Sequence, residues 1–320
     1  MEESVQIALL AGGFGGARMA HGFALLGDRA NLTVIGNTAD DVELHGLHIS
    51  PDLDTVMYTL AGLANDETGW GVRGETWSAA GMLETYGEQT WFRLGDRDLA
   101  THIVRTARLR AGDRLTTVTG DLTRALGVSA TVLPMSDDEV RTKIRTKDGW
   151  LDFQDYFVRH RHADAVHDVQ FEGVDTAHPT PEVLQAIESA DLIVIAPSNP
   201  FLSVAPILAL AGLEKAIKAA AARTVAISPI VGGGAIRGPA ADIMRSLGAT
   251  PSGAGIAAHY ATHHPGLVDV LFIDDADSDE AGAVAAHGIQ AVTAPIVIAE
   301  ETHRRRLAQE ILALDRTAAG

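Results

Sequence analysis

Five short runs, QIALLA (6–11), LTVIG (32–36), DLIVIAP (191–197), TVAIS (224–228) and DVLFID (269–274), are apolar at nearly every position. A strand with one wet face alternates apolar and polar residues, so an unbroken apolar run belongs to a strand covered on both sides. The segments between them carry apolar residues at helical spacing over 16–26, 53–64, 98–111, 181–189, 204–222, 239–247 and 299–314. Strands alternating with helices predict an α/β fold, a Rossmann-like parallel sheet covered by helices. Residues 66–180 break this rhythm with tryptophans, polar turns and the hairpin-like VRTKIRTKDGWLDF. They are expected to form an inserted smaller α+β subdomain, with 1–65 and 181–320 as the nucleotide-binding core.

Ligands of such sheets bind beyond the carboxyl ends of the strands, which directs attention to four strand ends. The first reads AGGFGGAR (11–18), where Gly12, Gly13, Gly15 and Gly16 allow close backbone approach and the following helix offers free amides to an anion. The spacing is neither a P-loop nor GxGxxG, and tight strand–helix packing would explain the glycines equally. The second end, GNTADD, places Asn37 and Thr38; a later one, APSNP, places Ser198 and Asn199 between prolines; the next, SPIVGGG, carries Gly232, Gly233 and Gly234. Neutral hydrogen-bonding groups and glycines recurring at successive strand ends suit a nucleotide, although each alone is ordinary turn chemistry.

Asp40, Asp41, Asp52 and Asp54 crowd the stretch NTADDVELHGLHISPDLDT (37–55). Hard oxygen ligands beside a phosphate site suit Mg²⁺, which binds through one or two carboxylates and completes its shell with water and phosphate. Stabilisation of a helix N-terminus is the competing role for Asp52 and Asp54, and a solvated loop charge the competing role for Asp40. Ser50 before Pro51 is expected to cap that helix.

The segment FRLGDRDLATHIVRTARLRAG (92–112) adds Arg93, Arg97 and His102 as phosphate- or proton-handling groups. Arg105, Arg108 and Arg110 are expected on a solvated helix face, and a lone His102 is more often structural. His160, His162 and His167, and the pair His263 and His264, lack a zinc-site spacing. Trp70, Trp77, Trp91 and Trp150 are expected in packing, with one or two available to wall a flat ring.

A formal charge of −17 opposes a phosphate-backbone or anionic-membrane partner, and the absence of cysteine excludes disulfides and thiolate chemistry. The acidic opening MEESVQIALLAGG is unlike a secretory leader, and no apolar stretch approaches the ~18 residues of a membrane span, so a cytoplasmic location is expected. A nicotinamide-dependent dehydrogenase is disfavoured because no acidic residue follows the glycine turn in a GxGxxG frame.

Taken in order, AGGFGGAR, GNTADD with SPDLDTVMYTL, LGDRDLATH, LPMSDD (133–138), FQDYFV (153–158), APSNP and SPIVGGGAIRGPA resemble the 2-phospho-L-lactate transferase family of deazaflavin coenzyme F-420 biosynthesis, over roughly residues 5–260. The resemblance implies a homodimer with a Rossmann-like core, a requirement for Mg²⁺, and two small-molecule substrates. In it, the terminal ribityl hydroxyl of the deazaflavin Fo attacks the phosphorus of a guanosine-diphospho-linked lactyl or enolpyruvyl donor, and GMP leaves. Carried onto this chain, Asp54 and Arg93 are acceptor-site residues, with Arg93 standing where relatives often have lysine. Asp41, Asp52 and Asp54 are the expected metal-linked carboxylates, and Asp54 is alternatively the acceptor of the hydroxyl proton. Gly12, Gly13, Gly15, Gly16, Asn37, Thr38, Ser198, Asn199 and Gly232 to Gly234 would cradle guanosine diphosphate, with Arg18 or Arg97 balancing its charge. The competing reading is a non-catalytic nucleotide-sugar-binding regulator of related fold, which shares the glycine turn and the ADD step but lacks the pairing of SPDLDT with LGDRD.

Overall fold

The computed structural model describes residues 4–65 and 67–318. Seven strands form one parallel sheet: β1 (Val5–Ala11), β2 (Ala30–Gly36), β3 (Thr131–Pro134), β4 (Leu192–Ile195), β5 (Arg223–Ile227), β6 (Val270–Ile273) and β7 (Gln290–Thr293). Their spatial order is β7-β6-β5-β4-β1-β2-β3, and every pairing is parallel. The chain therefore winds outward from β1 in both directions, and the topological switch point lies between β1 and β4.

Both faces of the sheet are covered, as the unbroken apolar runs predict. Leu9, Val34, Val194, Ile227 and Phe272 pack on one face with Met19, Phe23, Leu53, Met57, Leu307 and Ile311. Those partners come from helices α1 (Gly13–Ala24), α2 (Pro51–Leu60) and the C-terminal helix Glu301–Ala318. Leu10, Ile35, Ile193, Ile195, Leu271 and Ile273 face the other layer, which includes Val183, Ile187, Met244 and Ile256. Successive strand residues point to opposite faces, so each run serves two cores at once.

Three differences from expectation have physical causes. Residues 131–134, within the expected insertion 66–180, pair with β2 and form an edge of the main sheet. Their four residues are too short a run to stand out. The expected helix over 204–222 is two short helices, Ala205–Leu208 and Leu213–Ala219, because Gly212 adopts a left-handed conformation between them (φ 85°). Ser50 occupies the N-cap of α2 but makes no side-chain cap bond; its hydroxyl donates to Asp41 Oδ2 at 2.8 Å instead. The hairpin does form, from Arg141–Thr146 and Gly149–Asp152, with Asp168–Glu172 as a third antiparallel strand. Among the described residues, no single helix is long and apolar enough to cross a membrane.

One histidine reports on this packing. His259 lies in helix Gly253–His263 with its ring centroid 4.6 Å from that of Phe201, in the turn after Asn199. Burial, with the nearby His263 and His264, pushes its pKa down to about 4. The unfolded chain then binds the proton more readily than the folded one between the usual value near 6.5 and about 4, so stability falls as pH drops through that window. His259→Gln is expected to lose about 2 kcal/mol less stability than the parent between pH 7 and pH 5, read from urea denaturation midpoints at the two pH values.

Candidate active site

The glycine turn places the amino end of α1 at the switch point. A Cβ on Gly15 would lie 2.3 Å from the carbonyl oxygen of Pro197, and one on Gly12 2.5 Å from Ser203 Cβ. The loop after β4 can therefore lie flat on the loop after β1 only if those positions lack side chains. Ser198 ties the two loops together: its hydroxyl donates to the Gly12 carbonyl at 2.8 Å, and the Gly12 amide approaches the same oxygen at 3.2 Å. Gly16 packs against Ala11, where an added Cβ would sit 2.8 Å from the alanine's own. The close approach brings the amino end of α1 beside Asp52, whose carboxylate accepts from the amide of Gly13, the first residue of the helix.

Above this turn lies a cavity of about 650 Å³. Of the residues anticipated from sequence, Gly12, Gly13, Gly15, Arg18, Asp52, Asp54, Arg93, Ser198 and Asn199 line it. Asn199 accepts hydrogen bonds from the amides of Phe201 and Leu202, while its buried Nδ2 has no hydrogen-bond partner among the described residues.

Other anticipated residues stand behind the wall. Asn37 donates to Asp52 Oδ2 at 3.0 Å and accepts from the Ala39 amide, so it orients a carboxylate. Thr38 is buried beside it. Asp41 takes Ser50 and His48 on Oδ2, and its Oδ1 is buried with no hydrogen-bond partner among the described residues. Arg97 turns to the Arg73 carbonyl at 2.7 Å. Gly232 donates its amide to Asp277, and the run Gly232–Gly234 turns a small hairpin whose continuation, Ile236 to Ala240, reaches the cavity.

The acidic residues divide into two groups. Asp40 and Asp52 are buried and line the cavity. Burial pushes Asp52 up to about 6 against the opposing bonds from Asn37 and the Gly13 amide, with Asp41 adding to the rise. Burial, then the charge of Asp52, raises Asp40 well above the usual carboxylate range. Burial and mutual repulsion thus disfavour the ionised form of both carboxyls.

Asp54 has a different environment. Arg105, with 0% exposure, grips both of its oxygens: Nη1 donates to Oδ2 at 3.0 Å and Nη2 to Oδ1. The expectation of a solvated Arg105 is thus corrected. The residue sits on the inner face of helix α3 (Asp96–Arg110), one turn beyond His102. Arg105 Nη1 also lies 3.4 Å from His102 Nδ1, and because a guanidinium only donates, that nitrogen is the acceptor and the ring proton resides on Nε2. Nε2 lies 3.4 Å from Asp98 Oδ1 without hydrogen-bond alignment. Asp98 accepts from the Tyr58 hydroxyl at 2.7 Å. Burial alone would raise the Asp98 pKa, but His102, Tyr58 and Arg105 together hold it below the usual range. Asp54, Asp98 and His102 bring ligand atoms within 4.8 Å of one another, near enough for a metal, although the guanidinium already balances Asp54.

The cavity lining is also rich in aromatic side chains. Trp70, Trp91, Phe92, Phe153 and Phe157 belong to it, the last two stacked with centroids 5.3 Å apart. Arg93 lies over Trp77, 4.6 Å from its centroid. Arg237, which the sequence does not single out, approaches the Phe14 ring at 4.2 Å, while Arg18 approaches the same ring at 3.9 Å. The glycines around Phe14 mask it in sequence, and Arg237 is remote along the chain.

Comparison with known proteins gives the family. The family model described as 2-phospho-L-lactate transferase CofD matches residues 7–310. The chain belongs to the 2-phospho-L-lactate transferase family. A relative from Kitasatospora aureofaciens, named phosphoenolpyruvate transferase, is 43% identical over 317 residues, covering 97% of this chain and 98% of its own. Relatives of the same name from Streptomyces coelicolor and Mycobacterium ulcerans are 41% and 39% identical, covering 97% and 89% of this chain and 98% and 92% of theirs. A solved structure of a UPF0052 family protein from Bacillus halodurans shares the fold, with a TM-score of 0.69 at 17% identity, covering 98% of this chain and 100% of that one. As a member of the 2-phospho-L-lactate transferase family, the protein is a transferase of phosphate-containing groups, in a family tied to coenzyme F-420 biosynthesis.

Proposed function

We propose that the protein transfers a phosphoenolpyruvyl group from a guanosine-diphospho-linked enolpyruvate to the terminal ribityl hydroxyl of the deazaflavin Fo, releasing GMP. The observation that carries this reading is a single cavity joining the amino end of α1, buried carboxylates and a set of aromatic side chains that includes the stacked pair Phe153 and Phe157. The enolpyruvyl donor is preferred to the lactyl one because relatives that match nearly the whole chain are named phosphoenolpyruvate transferase.

In this reading the diphosphate lies across the glycine turn, where the helix dipole and the donor of Asn199 favour negative charge, with Arg18 beside it. The aromatic side receives the deazaflavin ring, and Arg93 borders that half. The acceptor hydroxyl oxygen forms the new bond to the phosphorus bearing the enolpyruvyl group as the bond from that phosphorus to the GMP phosphate oxygen breaks. The leaving GMP keeps the bridging oxygen, and the hydroxyl proton passes to Asp54. Each carboxylate oxygen of Asp54 has two lone pairs and gives one to Arg105, which leaves others for the hydroxyl. Phosphoryl-type transfer needs positioning and charge neutralisation more than a covalent nucleophile, in keeping with this residue set.

The residues fit a divalent cation. Asp40 and Asp52 line the cavity as buried carboxylates, and Oδ1 of Asp41 behind them has no hydrogen-bond partner among the described residues. Asp52, with Asp40 also in the lining, would hold Mg²⁺ and leave water and phosphate to complete its shell; of the other carboxylates expected from sequence, Asp41 does not line the cavity and Asp54 is occupied by Arg105. Bound there, the ion would neutralise diphosphate charge. The protein is read as a cytoplasmic homodimer. Incubation with Fo, either guanosine-diphospho-linked donor and Mg²⁺, followed by product mass, tests the reading. A phosphodiester carrying enolpyruvate is expected; preferential use of the lactyl donor, or no product with either, would overturn it.

A further inference from the structure

Arg105 is fully buried beneath the cavity, yet it touches Asp54 and His102, both of which line that cavity. Charge balance alone does not require this arrangement. A buried ion pair is often no more stable than apolar side chains of similar volume, and a lysine would cancel the charge of Asp54 equally. What the guanidinium adds is direction. Its planar fork holds both carboxylate oxygens in one orientation, and its third contact selects the tautomer of His102 that turns the ring proton toward Asp98.

The support on either side of this fork is rigid. The first turn of α2 holds Asp54, whose amide donates to the Ser50 carbonyl at 2.9 Å. At the amino end of α3, Glu75 accepts from the amides of Arg97 and Asp98 at 2.8 and 2.9 Å, and Gly95 gives it room, since a Cβ there would lie 2.2 Å from the Glu75 carboxyl carbon. Asp98 in turn accepts from Tyr58 of α2, and Tyr58 lies 2.7 Å from the Thr101 hydroxyl. Two helices are thus joined by a chain of side chains from Asp54 through Arg105 and His102 to Asp98 and Tyr58, with Arg105 its only permanently charged donor.

We propose that Arg105 is a positioning residue for the transfer reaction: its fork aims the Asp54 carboxylate into the cavity and sets the tautomer of His102. This rests on Asp54 being the acceptor-side carboxylate. Misplacement of a reacting group by about 1 Å costs roughly 100-fold in rate.

The test is Arg105→Lys, which keeps the charge and loses the fork, with Arg105→Gln, which keeps a planar donor, as the second variant should lysine not fold. Two readouts are taken on the full chain: kcat and KM with whichever substrate pair the parent turns over, and the Asp54 side-chain orientation in a crystal structure of the variant. The expected result is a kcat about 100-fold lower with KM changed less than about threefold and the carboxylate rotated from its parental position. A parental kcat in a folded variant would overturn the proposal, as would a loss confined to KM or an Asp54 that stays in place. If the parent transfers nothing, the functional reading fails on its own, and the orientation of Asp54 in the variant still decides the role of Arg105.

Discussion

Asp54→Asn is expected to lower kcat by about 10³-fold, the scale of losing a positioned proton acceptor, and also to lower the melting temperature. The second effect is the less obvious one. Asparagine preserves the volume, so no cavity forms, but it leaves the guanidinium of Arg105 buried at 0% exposure without the carboxylate that its fork grips. Breaking one side of a buried pair costs about 3–5 kcal/mol. Adding Arg105→Met removes the stranded charge, so the double variant should regain much of the lost stability while transfer stays absent. Product formation and chemical denaturation on the parent and the two variants check both halves. Full transfer by Asp54→Asn would remove Asp54 from the chemistry; a single variant as stable as the parent would show that the pair is not what holds α2 to α3.

The second large effect concerns the divalent cation. Thorough chelation is expected to reduce transfer by more than about 100-fold, since a bound metal supplies several kcal/mol of charge stabilisation. Stability should respond as well. Asp52 is pushed up to about 6 by burial, so its ionised form opposes folding at pH 8 and that penalty fades as pH falls through 6 toward the usual carboxylate value. A cation offsets the penalty at pH 8, and Mg²⁺ at 100 times its dissociation constant would add about 2.7 kcal/mol. Melting curves with and without Mg²⁺ at pH 8 should separate, and Asp52→Asn should bring them together. Equal separation in that variant would place the ion elsewhere, with the group of Asp54, Asp98 and His102 the next to examine.

These predictions depend on contacts of differing legibility. The pairing of SPDLDT with LGDRD carries family information, but it contains no statement of which carboxylate meets which cation. Arg105 stands in RTARLR (105–110), a helical stretch with three arginines in six positions, and nothing local distinguishes the buried one. Its partner lies 51 residues away. Arg108, three residues on, pairs with Asp113 and Asp121 at the surface, so the solvated reading suits that neighbour and fails for Arg105 alone. Likewise the four residues of β3 are too few to show a pattern, and only pairing with β2 reveals them as sheet.

The sequence by itself determined the class of sheet, the five clearest strands, the glycine turn at the carboxyl end of β1 and the family. Each of these follows from constraints that act within a few residues: alternation across a strand, helical spacing, and the room that a missing Cβ provides. Tertiary structure alone decided that Asp54 is paired with Arg105 while Asp40 and Asp52 are left crowded, and that Arg237 and the aromatic side chains share one cavity with them. A charge is stabilised or destabilised by what folding brings within a few ångströms and by how much water is removed, and neither quantity is written along the chain.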